Sequence, residues 1–220
     1  MGLAVVTGAN RGIGLELVRQ LQARGANVVA ICRNRSPELD ALGIRIESGF
    51  DLSKPKSWAA ISRRLAHDDI DLLIHNAGIA SIKAKDELDL DAVLSQFSTN
   101  AVAPLFVTRA LASHLGRGAK VALISSRMGS ISDNRSGGYY GYRMSKAALN
   151  SAGVSLAHEL KLAGVALIIL HPGAVRTDMT DHTGMIEASE SARGLLERID
   201  ELTLETTGRF VHMSGEPLPW

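Results

Sequence analysis

The sequence predicts an α/β fold: one domain over residues 1–220, with a doubly wound, mostly parallel sheet of about seven strands and helices on both faces. Three observations carry this. Short apolar runs alternate with helix-length amphipathic stretches along the whole chain. The apolar runs are nearly continuous, as strands buried on both faces require. A chain of 220 residues can bury one sizeable core, and no internal repeat, low-complexity tract or linker divides it.

The elements follow in order. Leu3 to Val6 reads as the first strand and ends at Thr7-Gly8. From Gly12 to Ala23 a helical period places Ile13, Leu17, Val18 and Leu21 on one side, and Gly25 stops it. Asn27 to Cys32 is the second strand, and Ile44 to Gly49 the third, leading to Asp51. Lys54 to Ala66 is helical and Asp71 to His75 the fourth strand. A long helical pattern from Gln96 to Leu115 closes at Gly116 and Gly118, before a strand from Lys120 to Ser125. Arg127 to Tyr140, rich in Ser, Gly and Asn, is a loop. A second long helix spans Tyr142 to Leu162 and closes at Gly164. Val165 to Leu170 is a strand before His171-Pro172-Gly173, Glu187 to Leu202 a helix, and Gly208 to Met213 a last short strand.

Composition narrows the function classes. Lys and Arg total 24 against 23 Asp and Glu, and neither a basic block nor an acidic tail is present, so no nucleic-acid partner is expected. Cys32 is the only cysteine, which excludes an intramolecular disulfide and a cysteine-rich zinc site. His67, His114, His158 and His182 lack metal-ligand spacing, so no metal is expected. The chain runs from Met1 directly into an apolar strand, without the layout of a secretory signal, and has no run of about 18 apolar residues. A cytoplasmic protein without a membrane partner is the expectation.

Chemistry enters at the turn Thr7-Gly8-Ala9-Asn10-Arg11-Gly12-Ile13-Gly14, between the first strand and first helix. Gly8 can make the turn, Gly12 can admit close backbone approach, and Gly14 can let helix and strand pack closely. The helix N-terminus then offers free N–H groups and a favourable dipole to a pyrophosphate. The turn lacks the Gly-Lys-Ser/Thr ending of a nucleoside-triphosphatase loop. A dinucleotide is the expected cofactor. Where the second strand ends, Cys32-Arg33-Asn34-Arg35 carries no carboxylate for a ribose 2′-hydroxyl. Arg33 is placed to grip a 2′-phosphate, and Arg11 to reach the same group, so NADP(H) is expected over NAD(H). Asp51 and Leu52 are expected at the adenine edge.

Further polar or small residues fall at strand ends or in the long helices: Asn76-Ala77-Gly78, Asn100, Ser125-Ser126 and Pro172-Gly173. Ligands of an open parallel sheet bind outside the strands' carboxyl ends, so these segments converge on one crevice. Tyr142 and Lys146 lie four apart and share a helix face. A phenol with pKa ~10 is a poor acid-base group at neutral pH, and a fixed ammonium beside it favours the phenolate.

The combination resembles the classical short-chain dehydrogenase/reductase family over nearly the whole chain. The family's glycine motif matches Thr7 to Gly14, and its Asn-Ala-Gly motif matches Asn76-Ala77-Gly78, with His75 in place of the frequent preceding Asn. Its Tyr-x3-Lys motif matches Tyr142 and Lys146, and its Pro-Gly segment matches Pro172-Gly173, followed by Val175 and Thr177. The turn, the Cys-Arg-Asn stretch and the final Glu-Pro-Leu-Pro-Trp resemble the C-factor and sniffer-like carbonyl reductases within it.

That resemblance implies a single Rossmann domain and an NADP-linked oxidoreductase acting on a carbonyl or alcohol. It implies that Ser126 and Tyr142 bond the carbonyl oxygen, that Tyr142 passes the proton, and that Lys146 binds the nicotinamide ribose. Asn100 would hold a relay water, and Thr177 would contact the carboxamide. Fifteen residues separate Ser126 from Tyr142, more than the family's usual spacing, so Ser130, with eleven between, stands as a rival serine. Non-enzymatic cofactor sensing and an NAD-linked alcohol dehydrogenase are the alternatives. The lid after Pro172-Gly173, roughly Asp178 to Ser189, carries Met179, His182, Met185 and Ile186 and no cationic cluster, which suits a shallow, partly apolar pocket for a ketone or aldehyde. The two long helices would support a homodimer or homotetramer, with Leu105, Val154 and Leu160 facing either a partner or the sheet.

Overall fold

The computed structural model describes residues 2–81 and 88–220. Strands β1 (Leu3–Thr7), β2 (Asn27–Ile31), β3 (Arg45–Glu47), β4 (Ile70–His75), β5 (Leu115–Ile124), β6 (Ala166–His171) and β7 (Phe210–His212) form one sheet in the order β3-β2-β1-β4-β5-β6-β7. Every neighbouring pair is parallel. The winding reverses between β1 and β4, which opens a crevice at their carboxyl ends.

Side-chain alternation divides the core between the two sheet faces. Val5 of β1 packs in the layer with Trp58 and Ile61 of α3 (Pro55–Arg64), Val107 of α5 (Ala103–Ala110), and Leu149 and Leu156 of α6 (Tyr140–Lys161). Its neighbours Ala4 and Val6 point to the opposite layer. There they join Leu17, Val18 and Leu21 of α1 (Gly12–Ala23) and Leu195, Leu196 and Ile199 of α7 (Ala188–Asp200). Each such fully buried aliphatic side chain contributes about 1.5–3 kcal/mol relative to exposure.

Several elements differ from the sequence expectation. The pattern from Gln96 to Leu115 is not one helix. It comprises the end of α4 (Leu90–Phe97), a π-helical turn (Ser98–Val102), α5 and a short 3₁₀ turn (Ala112–His114). Pro104, in the first turn of α5, explains part of the break: it has no N–H to give the carbonyl of Asn100 four residues earlier. Asp89 caps α4 by accepting from the N–H groups of Asp91 and Ala92. Gly116 and Gly118 do not close a helix but lie within β5, with Gly118 at φ +91°. A short helix α2 (Pro37–Asp40), capped by Ser36, follows β2 where none was expected.

The second long helix starts at Tyr140, two residues earlier than expected, so Tyr142 sits in its first turn. Leu160 is buried against the sheet, and Leu105 and Val154 pack against the same core. The exposed apolar side chains on these helices are instead Leu90, Leu94, Phe97, Phe106 and Met144. No helix among the described residues is long and apolar enough to cross a membrane.

Candidate active site

The glycine turn is held by contacts that admit no side chain. A Cβ on Gly14 would lie 2.2 Å from the Gly8 carbonyl oxygen and 2.4 Å from Nδ2 of Asn76. One on Gly8, which sits at φ +67°, would meet the Cα of Ala77 at 2.7 Å. Asn76 locks the turn by donating Nδ2 to the carbonyls of Thr7 and Gly8 at 3.2 and 3.0 Å. The Ala77 N–H donates to Oγ1 of Thr7 at 3.1 Å. The Asn-Ala-Gly segment therefore binds β4 to the turn as much as it lines the crevice. Behind it His75 is buried, pairs with Thr108 at 2.8 Å, and is pushed by burial down to about 3, so the ring is neutral.

A cavity of about 780 Å³ runs along the carboxyl ends of β1, β2, β4 and β5. Gly8, Asn10, Arg11, Gly12 and Ile13 line its middle. Arg33, Asp51 and Leu52 line one end, with Cys32, Asn34 and Lys54. Asn76, Ala77, Gly78, Tyr142, Lys146, Pro172 and Thr177 line the remainder. Gly14, Asn100, Ser126, Gly173 and Val175 do not line it. Gly14 is spent on packing, and Val175 is buried and bridges Ile186. Gly173, at φ +87°, leaves room for Ile186 and His212, whose atoms would lie 2.9 and 3.5 Å from a Cβ there.

The cations divide into paired and unpaired. Arg11 forms an ion pair with Asp178, which also pairs with His182 at 3.2 Å, so Arg11 bridges the glycine turn to the lid. Arg35 pairs with Asp40 at 2.7 Å. Arg33 enters no ion pair among the described residues and lies near Asp51, whose carboxyl is held below its ordinary value. The main cause is the Ser53 hydroxyl, which donates to Oδ1 at 2.8 Å.

At the other end Lys146 is buried and donates Nζ to the Ile124 carbonyl at 2.8 Å. Nζ lies 5.7 Å from the centre of the Tyr142 ring. Burial pushes the lysine down to about 8. It also raises the phenol above its ordinary value, while the Ser126 hydroxyl beside it acts the other way. Burial thus works against the easing toward ionisation expected from a neighbouring ammonium.

Ser126 is buried and caps a 3₁₀ turn by accepting from the Met128 N–H at 3.1 Å. Ser130 accepts from the Asp133 N–H within the loop. Ser125 lines the cavity and donates to Oδ1 of Asn150 at 2.6 Å. Asn100 lies in the π-helical turn. Its amide accepts from the Ile79 N–H and donates to the Ile79 carbonyl, both at 2.8 Å, and to the Ser145 hydroxyl at 2.9 Å. Ser145 in turn donates to the Tyr142 carbonyl at 2.8 Å. Both amide protons of Asn100 are thus committed, so a water held by this residue would donate to it, at the backbone carbonyl or the second lone pair of Oδ1.

Sequence reasoning missed part of this frame. Buried Gln96 accepts from the Ser81 N–H at 3.0 Å, and its Nε2 would lie 2.7 Å from a Cβ on Gly141. Gly129 allows equally close approach of the loop to Lys146, whose backbone carbon would be 2.7 Å from a Cβ there. Ser95, Thr99, Arg176, Asp178, Met179 and His182 also line the cavity. The Ser before Lys146 and the two glycines were visible signals. The rest depends on contacts between distant segments. Among the described residues no group of three or more His, Cys, Asp or Glu is placed to hold a metal ion.

Residues 2–187 match the family model described as short chain dehydrogenase. The chain is 40% identical, over the full length of both proteins, to the 1-hydroxy-2-glutathionyl-2-methyl-3-butene dehydrogenase of Rhodococcus sp. (strain AD45). It is 41% identical to the C-signal of Myxococcus xanthus, over 73% of this chain and 99% of that one. A carbonyl reductase from Pseudomonas aeruginosa PAO1, solved in complex with NADP, is 37% identical and superposes with a TM-score of 0.87, with full coverage of both chains. Sheet order, glycine turn and Tyr-x3-Lys pair agree with these matches: the chain belongs to the short-chain dehydrogenase/reductase family of oxidoreductases, with the C-factor and carbonyl-reductase members among its relatives.

Proposed function

We propose that the protein is an NADP(H)-dependent reductase of aldehydes or ketones, reversible toward the alcohol, with Tyr142 as proton donor. The observation that carries this is the shared cavity: a glycine-cradled crevice with Arg33, which enters no ion pair among the described residues, at one end opens onto Tyr142 and the buried Lys146 at the other.

The residues fit the cofactor. Gly8 and Gly12, at φ +67° and +53°, present backbone without side chains at the N-terminus of α1, where an anion is favoured. Arg33 supplies a planar donor fork for a 2′-phosphate, and Lys54 adds charge on the same wall. Asp51 keeps its Oδ2 for the adenine amino group, because Ser53 uses Oδ1. Thr177 and Pro172 stand at the nicotinamide end. Bound there, the nicotinamide supplies or takes up the hydride at the substrate's carbonyl carbon.

The chain's own residues do the rest. Tyr142 and Ser126 bond the carbonyl oxygen, and Tyr142 transfers its proton as charge develops there. Lys146 then stabilises the tyrosinate. Its titration at about 8 allows it to carry a proton onward near neutral pH. A water on the Asn100 carbonyl, which Pro104 leaves without its usual helical donor, would connect Lys146 to solvent. The NADP-complexed carbonyl reductase relative supports the cofactor and the reaction class.

Steady NADPH oxidation against aldehydes, ketones, diketones and quinones tests the reading, with alcohol oxidation measured on a glutathionyl alcohol, the class named for the Rhodococcus relative. Tyr142→Phe should lower kcat by about 10²–10⁴-fold with NADPH affinity retained. Equal turnover in that variant would remove Tyr142 from its role. Tight NADPH binding without turnover on any substrate would favour cofactor sensing, in line with the C-signal relative.

A further inference from the structure

The loop between Ser126 and Tyr142 is the part of the site that packing alone does not fix. It contains a left-handed Tyr139 at φ 51° and two left-handed glycines, Gly137 and Gly138. Two groups hold its near side. Arg143 of α6 donates to the Met128 carbonyl at 3.3 Å and the Ser136 hydroxyl at 2.9 Å, and Gly129 packs against Lys146.

Its far side is held by the segment after β7. Both the backbone N–H and the hydroxyl of Ser132 donate to the Trp220 carbonyl oxygen, at 2.9 and 2.6 Å. Arg127, the residue after Ser126, pairs with Asp133 at 3.2 Å and reaches Glu216 at 3.5 Å. The segment is itself anchored. Leu218 is buried and its N–H donates to the Phe210 carbonyl at 2.9 Å, and the His212 N–H donates to the Glu216 carbonyl at 2.8 Å. The Trp220 ring stacks on Phe210 at 5.6 Å between centres, with about half of the residue exposed (49%).

We propose that the segment Gly215–Trp220 is a positioning element for catalysis. It holds the loop at Ser132 and Arg127, and through the loop it fixes the Ser126 hydroxyl beside the Tyr142 phenol. No residue of the segment touches the reacting atoms. This rests on the reading of Ser126 and Tyr142 given under Proposed function. The Phe210–Trp220 stack sets the depth of the strap, and the Ser132–Trp220 bonds transmit it. A displaced loop would move Ser126 away from the carbonyl oxygen while leaving the glycine turn intact.

The test uses the full chain and four variants: Ser126→Ala, Trp220→Ala, Trp220→Phe and Ser132→Ala. Each is measured for kcat, carbonyl KM, NADPH dissociation constant and Tm. Trp220→Ala should lose ~10- to 100-fold in kcat, the scale of a misplaced catalytic group, with NADPH affinity within about twofold of the parent. Trp220→Phe should restore most of the loss, since it keeps the stack. Ser132→Ala, which removes only the hydroxyl bond, should fall between Trp220→Ala and the parent.

Parent-like kcat in Trp220→Ala, even with a lowered Tm, would overturn the proposal and leave the segment a stability element only. Parallel losses of NADPH affinity and kcat would overturn it as well, since they mean general damage. Should Trp220→Ala not fold, Ser132→Ala and the exposed Glu216→Gln decide in the same way. Ser126→Ala separates the two levels. Full turnover in that variant sinks the assignment of Ser126, whereas its failure beside an active Trp220→Ala sinks only the strap.

Discussion

The two ends of the crevice are built by different physics. At the cofactor end, backbone meets backbone: Gly14 against the Gly8 carbonyl, Gly8 against Ala77, with Asn76 and Thr7 closing the arrangement. The distant side chain used is that of Asn76, which donates to the Thr7 and Gly8 carbonyls. At the Ser126 end, a long loop is held by Arg143, Gly129, Arg127 and Ser132, and two of those tethers end on residues beyond β7. One half is fixed by the absence of side chains and the other by their reach. Damage to the first should therefore be local and severe, and damage to the second graded and remote.

Gly14→Ala should break the comparison most sharply if it is wrong. The added Cβ meets a carbonyl oxygen at 2.2 Å and the amide of Asn76 at 2.4 Å, so the turn must open. Loss of about 1–3 kcal/mol of stability, typical of overpacking, is expected together with loss of measurable NADPH binding. Thermal unfolding and fluorescence titration check both, and normal NADPH binding would show that the turn has slack the structure does not display.

The pH profile comes next, because it probes the catalytic end alone. Lys146 is pushed down to about 8, so it is an ammonium below that pH and an amine above it, while burial raises the phenol above its ordinary value. The kcat/KM for carbonyl reduction should be level below about pH 8 and fall about tenfold per pH unit above it, toward a total near 100-fold by pH 10. NADPH affinity should not follow that curve. A profile level to pH 10 would mean that the lysine charge is not used.

Arg33→Ala is the smallest of the three and the most selective. The residue is exposed and enters no ion pair among the described residues, so the fold should be untouched. Losing one charge-assisted contact to a 2′-phosphate should reduce the preference for NADPH over NADH by about tenfold or more. Dissociation constants for both cofactors measure it. An unchanged preference would move the phosphate contact to Lys54 or Arg11.

The cofactor half was legible in the sequence because its determinants lie close together. Gly8, Gly12 and Gly14 fall within one turn, and the order of strands and helices sets where the chain reverses. The Tyr142–Lys146 pair was legible for the same reason, as one turn of one helix. The broken helix after Gln96 was harder to read. Its apolar period continues across the π-helical turn, and only Pro104 signals the interruption. The ion pair of Arg11 was not legible because its partner, Asp178, is 167 residues away. The buttress of Gln96, Asn100 and Ser145, and the grip of Ser132 on Trp220, likewise join segments whose proximity no local pattern encodes.

The segment beyond β7 has one more consequence, for the chain's behaviour in concentrated solution. A parallel sheet with seven strands has two outer borders, and each exposes unpaired peptide groups that a neighbouring molecule can extend. At the β7 border these groups are occupied: the His212 N–H is taken by Glu216, the Phe210 carbonyl by Leu218, and Pro217 faces Val211 in an antiparallel bridge. Pro217 and Pro219 carry no N–H with which to recruit another strand. At the β3 border the strand is only three residues long, and its Arg45 is tied to Asp68 and Glu47. The β7 border is thus closed to strand addition, and the β3 border offers a neighbouring molecule only three residues.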